Sequence, residues 1–373
     1  MFASGSRRSF AWRLAACTDS EGDIPKAADA PGGYRCGVRI AVQARAPFRL
    51  DLTVAALQRT ASNPVERWTG NGRYLRAFET AAGPFAWSVV QPAASRIEAE
   101  IEGPTGVRRT AEALLRRVLG VDRDVRPFLA RAAGTPLAPL AGRFRGVHPP
   151  RFASLFEALV NAIAFQQVSL ASGMAAVRRL AERAAPLVPV DGATLRTFPS
   201  AEAVAEMDEA ALRACGLSAA KARAVHAAAE AVRAGAVREE DLEALPSAGA
   251  AERLLALPGI GPWSAALVLL RGLGRLDVFP AGDSGATRRL RTALPGASGA
   301  RLLDALGPWR GMLYFHLLLD GRFPEESGPA PEPGRARRGS TSWRRDRSSQ
   351  ADGPRPGGRA AAPRGRAAGA PLE

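Results

Sequence analysis

The Pro-Gly-Ile-Gly-Pro segment at residues 258–262 constrains the fold of this chain more than any other feature, because apolar stretches flank it on both sides. Gly259 and Gly261 let the backbone turn tightly. Pro262 suits the first turn of a helix, where its missing N–H is not needed. The pattern predicts two helices joined by a short turn, in a hairpin that spans residues 250–272.

The start of the second predicted helix is a candidate phosphate-binding site. Free N–H groups and the helix dipole both favour an anion there. The segment resembles the helix–hairpin–helix, an element that binds the DNA backbone; an ordinary helical turn is the alternative. The resemblance implies that DNA is contacted by Gly259, Ile260, Gly261 and Ser264. Trp263 either walls a cleft beside the DNA or fills the core.

Asp283 follows Trp263 by 20 residues, in a loop rich in glycine and proline, at the predicted start of another helix. Aspartate is a common helix N-cap. A helix N-terminus also keeps a carboxylate ionised, and an ionised carboxylate can stabilise positive charge on a sugar. The structural and chemical roles are compatible, so an N-cap and a catalytic carboxylate both remain open for Asp283 at this point.

Composition restricts the partners and the cofactors. Lys and Arg number 51 against 36 Asp and Glu, a net charge of +15 that favours a polyanionic partner. Only Lys26 and Lys221 are lysines; the other basic residues are arginines, whose planar fork suits phosphate. Three cysteines exclude a four-cysteine zinc or iron–sulfur site, and with three histidines we expect no metal and no cofactor. No apolar run is long enough for a membrane span.

Four regions differ in composition. Residues 1–37 have no sustained pattern and are predicted to be a disordered leader. Residues 38–126 contain short alternating stretches, typical of an antiparallel sheet, together with helical segments. Residues 127–323 are predicted to be one helix after another, and residues 324–373 a disordered tail rich in Arg, Pro and Gly. The predicted fold class is α+β, an N-terminal antiparallel-sheet domain followed by a mainly helical domain.

The hairpin, the glycine-rich loop and Asp283 together resemble the helix–hairpin–helix DNA glycosylase superfamily, and within it the DNA-3-methyladenine glycosylase II family. Further resemblance lies in residues 156–169, 198–222 and 308–316, and in the sheet region near residues 46–53. The resemblance covers about residues 45–322, most of the predicted folded chain.

The resemblance implies a base-excision-repair enzyme for alkylated purines. Such an enzyme takes the damaged base out of the stack before attack. Asp283 would then stabilise the oxocarbenium-like sugar as the bond to the base breaks. Relatives that nick the backbone use a lysine at the position of Trp263, and neither Lys26 nor Lys221 is near it in sequence. The implied enzyme is therefore monofunctional.

The resemblance also assigns the other site residues. Gln166 and Gln167 lie in the middle of an apolar stretch of helical spacing, residues 152–180. Both are implied to contact DNA, and Gln167 to enter the gap left by the flipped base; a polar helix surface is the alternative. The base pocket is implied to be lined by Trp263, Phe165, Tyr314 and Leu318, although helical spacing also fits Tyr314 to the core. Arg288 is implied to bind DNA.

Leu267 and Leu318 stand where the family has aromatic residues, so the range of bases stays open. Two rival functions remain: a damaged-DNA-binding protein of the same fold without catalysis, and a glycosylase for deaminated or oxidised bases. The expected partner is double-stranded DNA containing damaged bases. We expect a monomer in the bacterial cytoplasm, associated with the nucleoid and not with a membrane.

Overall fold

A computed structural model describes residues 35–58, 60, 63–104 and 106–323. The predicted tail at 324–373 lies outside these ranges, as does the predicted leader except for its last three residues, which belong to the first strand. No helix in the described ranges is long and apolar enough to cross a membrane.

The N-terminal part is a five-stranded antiparallel sheet. Its strands are β1 (Arg35–Gln43), β2 (Glu66–Trp68), β3 (Tyr74–Phe78), β4 (Phe85–Ala93) and β5 (Arg96–Gly103), in the spatial order β1-β5-β4-β3-β2. Along β5 the residues Ile97, Ala99 and Ile101 are buried and alternate with less buried neighbours. This alternation is the period of a sheet with one face on a core, and the predicted antiparallel sheet is confirmed.

The rest of the described chain is mainly helical, as predicted. Helix α1 (Leu50–Gln58) lies between β1 and β2, and β5 is followed by α2 (Arg108–Leu119), α3 (Arg126–Ala132) and α4 (Ala138–Arg143). Then follow α5 (Leu155–Ala164), α6 (Leu170–Ala184), α7 (Ala201–Ala205), α8 (Glu209–Ala214), α9 (Ala219–Arg233) and α10 (Glu239–Glu243). The last helices are α11 (Ser247–Leu255), α12 (Pro262–Arg271), α13 (Ser284–Ala293), α14 (Gly299–Leu306) and α15 (Arg310–Arg322), with a 3-10 turn at Gly307–Trp309.

Two apolar cores hold these elements together. Helices α1 and α2 pack on the sheet through Val54, Leu57, Leu115 and Val118. The larger core surrounds α5, α12 and α15, and every residue of α5 is buried. Because α5 is buried on all sides, its C-terminal end is fixed firmly, and that end leads directly to the predicted Gln-Gln contact with DNA.

The prediction that Gln166 and Gln167 lie inside a helical stretch is wrong. Helix α5 ends at Ala164 and α6 begins at Leu170, so both glutamines lie in the turn between them. Gln167 has φ +51°, in the left-handed region that a helix does not use. Ser169 starts α6 by accepting a hydrogen bond from the Ser172 N–H at 3.1 Å. We call residues 165–169 the Gln-Gln turn.

A two-stranded hairpin interrupts the region predicted to be only helical. Its strands are β6 (Leu187–Val190) and β7 (Ala193–Arg196), joined by Asp191 and Gly192, both at positive φ. An Asp-Gly pair between alternating apolar residues is a typical hairpin signal. Val188 and Val190 pack with Leu75 and Ala86 of the sheet, so this hairpin belongs structurally with the N-terminal sheet.

A buried ionic network joins the sheet to the helical core. Arg76 on β3 is 1% exposed. Its guanidinium donates to both carboxylate oxygens of Glu157 on α5, at 2.6 and 2.7 Å, and to Glu66 Oε2 at 3.0 Å. The Tyr74 hydroxyl also donates to Glu66 Oε2, at 2.6 Å. Burial disfavours a charged guanidinium, but the charges of Glu157 and Glu66 outweigh it and raise the pKa of Arg76.

His316 on α15 makes the stability of the protein depend on pH. Its Nδ1–H donates to the Met312 carbonyl at 2.8 Å, its Nε2 has no partner within the described residues, and the ring packs on Phe128. Burial lowers the pKa of His316 from 6.5 to about 4. The unfolded chain therefore binds a proton in this pH range that the folded chain does not, and stability falls as the pH falls from 6.5 toward 4.

Between pH 6.5 and 4, the buried His316 should lower the stability of the wild type by up to about 3 kcal/mol, at about 1.4 kcal/mol per pH unit. We expect this part of the decrease to be absent in His316→Leu. Urea unfolding of both proteins across this range measures it. Burial also lowers the pKa of His148, so part of the pH dependence should persist in the variant. An unchanged slope in His316→Leu would contradict a neutral, buried His316.

Candidate functional site: the hairpin, Asp283 and the Gln-Gln turn

The predicted hairpin is present, formed by α11, α12 and the connection at 256–261, which we call the glycine turn. Gly259 has φ +78°, and a Cβ on it would lie 2.5 Å from the Cβ of Ala224 on α9. Gly261 precedes α12 in an extended conformation (φ −98°, ψ −179°), and nothing lies within 4 Å of the position of its absent Cβ. The fold thus requires glycine at 259 for space and conformation, whereas Gly261 faces open space.

Two residues of the hairpin predicted to contact DNA have buried side chains. Ile260 is 6% exposed and packs into the main core. Ser264 is 2% exposed, and its Oγ accepts a hydrogen bond from Gln166 at 2.8 Å. The first N–H groups of a helix lack intrahelical acceptors. The hairpin can therefore present backbone N–H groups of α12 to an anion, but not the side chains of Ile260 and Ser264.

Asp283 caps α13 and is bonded to the hairpin. Its Oδ1 accepts from the Ala286 N–H at 2.8 Å, as predicted for an N-cap. Its Oδ2 accepts from the Trp263 indole Nε1–H at 3.2 Å and lies 3.5 Å from the Tyr314 hydroxyl. Among the described residues, no arginine, lysine or histidine forms an ion pair with it. A carboxylate has about four acceptor sites, so three such contacts leave room for a further hydrogen bond.

The aromatic residues around Asp283 come from three parts of the chain. Trp263 on α12 is half-buried, whereas Tyr314 on α15 is 1% exposed and belongs to the core except for its hydroxyl. Phe279, in the loop before Asp283, packs edge-on to Tyr314 with 6.3 Å between ring centroids. Phe279 was missed by the sequence analysis, although it precedes Asp283 by only four residues.

The other two residues predicted to line the base pocket, Leu318 and Phe165, are positioned by packing. Leu318, one helical turn after Tyr314 on α15, is partly buried against the main core. Phe165 is 8% exposed, and its ring lies over Gly173 of α6, where a Cβ would be 2.4 Å from the ring. Hydrogen bonds thus join Trp263 and Tyr314 to Asp283, while Leu318 and Phe165 are placed by core packing.

The Gln-Gln turn touches the hairpin directly. The side-chain Nε2 of Gln166 donates to the Gly259 carbonyl at 2.7 Å as well as to Ser264 Oγ. Gln167 is exposed at the tip of the turn, next to Val168, which is 43% exposed. The two glutamines therefore have separate positions: Gln166 faces the hairpin and Gln167 faces solvent.

Arg288 on α13 is exposed, and within the described ranges no carboxylate pairs with it. It lies on the helix that begins at Asp283, so its charge is available on that surface.

No group of three His, Cys, Asp or Glu side chains in the described part of the chain is placed to hold a metal ion. A cavity of about 250 Å³ lies elsewhere, beside Arg76, Glu157 and α7.

Lys221 was set aside in the sequence analysis because it is distant in sequence from the hairpin. In the structure its Nζ donates to the carbonyls of Ala164, at 2.9 Å, and Gln166, at 2.7 Å. It lies one helical turn before Ala224, against which Gly259 packs. The available signal was its rarity, as one of two lysines among 51 basic residues.

Comparison with known proteins agrees with this arrangement. Residues 160–295 match the family described as HhH-GPD superfamily base excision DNA repair protein. This range contains the Gln-Gln turn, both hairpin helices and Asp283. The chain therefore carries an HhH-GPD domain.

Two curated relatives and one solved structure are similar over longer ranges. "Probable bifunctional transcriptional activator/DNA repair enzyme AlkA" of Mycobacterium tuberculosis is 33% identical over 235 residues, 60% of this chain and 45% of that protein. "DNA-3-methyladenine glycosylase 2" of Escherichia coli is 28% identical over 221 residues, 58% of this chain and 75% of that protein. The chain thus spans less than half the length of the first relative.

The solved structure is a 3-methyladenine DNA-glycosylase from Archaeoglobus fulgidus. It matches with a TM-score of 0.66 and 23% identity, over 76% of this chain and 99% of that one. This likeness shows that the sheet and the helical domain together form one known fold.

Proposed function

We propose that this protein is a monofunctional DNA glycosylase that removes alkylated purines of the 3-methyladenine type from double-stranded DNA. We further propose that it acts as a monomer on the bacterial nucleoid and needs no cofactor. The observation that carries the proposal is the position of Asp283, a carboxylate held at a helix N-terminus in direct contact with the hairpin. The HhH-GPD match and the names of the relatives support the same reaction class.

In the proposed complex, the hairpin binds the DNA backbone. The first N–H groups of α12 and the dipole of that helix favour a phosphate at the glycine turn. Arg288, exposed on α13, adds positive charge on the helix that begins at Asp283. Gln167 projects from its own turn and would fill the gap left when the damaged nucleotide leaves the stack.

The chemistry follows from the surroundings of Asp283. Breaking the bond between base and sugar builds positive charge at C1′, and a fixed carboxylate stabilises that charge. The remaining acceptor capacity of Asp283 would orient the attacking water. An N-alkylated purine is cationic, so Trp263 beside the carboxylate can attract it through a cation–π contact.

A lyase reaction is not proposed, because it needs an amine nucleophile at the sugar. Trp263 occupies the position implied for that amine. Lys221 has its amine bonded to the carbonyls of Ala164 and Gln166.

Mass spectrometry of the bases released by the purified protein tests the proposal. Duplex DNA is methylated, deaminated or oxidised in separate samples, and we expect 3-methyladenine to be released from the first with the backbone left intact. Release from deaminated or oxidised DNA alone would overturn the assigned substrate class. Binding to methylated DNA with no release from any sample would overturn catalysis.

The two glycines of the turn provide a matched pair of variants. We expect Gly259→Ala to destabilise the protein by about 2 kcal/mol or more, because the new Cβ meets Ala224 at 2.5 Å and φ is +78°. Gly261→Ala should cost only about 0.5 kcal/mol, through a poorer N-cap. If Gly261 faces a phosphate, the same variant should bind DNA severalfold more weakly.

Thermal unfolding and fluorescence-anisotropy titration with duplex DNA measure the two effects. Equal stability losses in both variants would contradict the packing described for the turn. Wild-type affinity in Gly261→Ala would contradict a phosphate at that position.

A further inference from the structure

The amine of Lys221 holds the end of the helix that leads into the Gln-Gln turn. Its Nζ donates at 2.9 Å to the Ala164 carbonyl, the last residue of α5, and at 2.7 Å to the Gln166 carbonyl. Carbonyls at a helix C-terminus lack intrahelical donors and carry partial negative charge. By donating to the Ala164 carbonyl and to the Gln166 carbonyl just beyond it, the Lys221 ammonium stabilises the end of α5.

The same turn is tied to the hairpin on its other side. The Gln166 side chain donates to the Gly259 carbonyl and to Ser264 Oγ, while Gly259 packs on Ala224. Since Ala224 and Lys221 lie on one helix, α9 contacts both the glycine turn and the Gln-Gln turn. The three segments form a closed set of contacts.

Gln167 depends on this set of contacts. It has φ +51°, an unfavourable conformation for a residue other than glycine. Such a conformation persists only when the surroundings hold it. Lys221 holds the carbonyl of the preceding residue, Gln166, by a hydrogen bond. Within the described ranges, the exposed side chain of Gln167 makes no hydrogen bond that could hold this conformation.

We propose that Lys221 is a positioning residue for base extrusion: by holding the Ala164 and Gln166 carbonyls, it fixes Gln167 in its projecting conformation and couples the Gln-Gln turn to the hairpin. This inference rests on the proposed function. Lys221 acts through the turn and does not contact the reacting atoms. Its effect is therefore on the step that opens the base pair rather than on cleavage of the bond to the base.

The residue type fits this role. The chain uses arginine at every basic position except 26 and 221. A compact ammonium can direct its donors at two nearby carbonyls, whereas guanidinium is a wide planar fork suited to carboxylate and phosphate. Partial burial also lowers the pKa of Lys221.

Single-turnover excision by Lys221→Met on two duplexes tests the proposal. One duplex carries 7-methylguanine paired with cytosine, and the other carries it opposite a synthetic abasic site, where no pair has to be opened. We expect a loss of about tenfold or more on the paired lesion, since two charge-assisted hydrogen bonds are removed. On the unpaired lesion the loss should be within about threefold, because extrusion is easiest without a partner base.

Arg223→Met is the matched control. Arg223 lies two residues further along α9, is exposed, and pairs only with Glu209 at 3.5 Å within the described ranges. Its replacement removes one positive charge from the same helix and should leave the ratio of the two rates unchanged. An equal loss on both duplexes in Lys221→Met, or no loss on the paired one, would overturn the proposal.

Hydrogen exchange of the protein without DNA distinguishes a failure of this inference from a failure of the proposed function. The Phe165 and Gln166 amides donate to Asn161 and Ile163, so their hydrogen exchange reports on the turn. We expect it to be about tenfold faster in Lys221→Met, even if the wild type released no base. Unchanged exchange would overturn the positioning role. If Lys221→Met does not fold, Lys221→Gln is measured the same way, with the same outcomes.

Discussion

Asp283→Asn is expected to lower base release by about 100- to 1000-fold while DNA binding stays close to that of the wild type. The carboxylate charge is lost from a position that we assign to the sugar, so the cost falls on the transition state. The fold should survive, because asparagine is as good an N-cap as aspartate and its Oδ1 can still accept from the Ala286 N–H. Single-turnover release and anisotropy titration measure the two quantities.

Asp208→Asn is the matched control for this change. Asp208 caps α8 with the same geometry, its Oδ1 accepting from the Ala211 N–H at 2.7 Å, but it is exposed. Its replacement makes the same chemical change at a helix N-terminus and should leave release unaffected. If Asp283→Asn also retained wild-type release, Asp283 would not be the residue that stabilises the sugar.

Arg76→Met is expected to destabilise the protein by about 3–5 kcal/mol, the cost of leaving buried carboxylates without their cation. Arg76 pairs with both Glu157 on α5 and Glu66 on β2, and both carboxylates are close to fully buried. Chemical denaturation at neutral pH measures the loss. The loss should shrink at mildly acidic pH, because protonation removes the unpaired charges in the variant.

Arg96→Met is the control on the same sheet. Arg96 pairs with Glu98 at 2.6 Å, but its side chain is 53% exposed, and such surface pairs contribute only about 0–1 kcal/mol. If Arg76→Met were as mild as Arg96→Met, the network would not hold the sheet against α5.

Short sequence motifs carried the family resemblance that located the candidate site, and each of them reflects interactions within a few residues. The glycines at 259 and 261, the proline at 262 and the capping aspartate at 283 each act within one turn of chain, so their signals are visible without tertiary structure. The antiparallel sheet was also predictable, since alternation along β1 and β5 reports one buried face. The hairpin β6–β7 had an equally local Asp-Gly signal, and the prediction of continuous helices missed it.

Contacts between distant segments were not predictable in this way. At the break in the helix, the Gln166 carbonyl accepts a hydrogen bond from Lys221, 55 residues further along the chain. The second oxygen of Asp283 lies 3.5 Å from the hydroxyl of Tyr314, a residue that the helical spacing fitted equally well to the core. Neither local sequence pattern specifies which atoms of distant segments form hydrogen bonds with each other.

By itself, the sequence determined the glycine turn, the cap at Asp283 and the alternation along β1 and β5, because these properties come from interactions within a few residues. Only the tertiary structure decided that Ile260 and Ser264 face inward, that Gln166 bonds to the glycine turn and that Lys221 bonds to the last carbonyl of α5. Those outcomes arise because buried carbonyls and hydroxyls must find hydrogen-bond partners, and the packing of the whole chain selects which partners lie within reach.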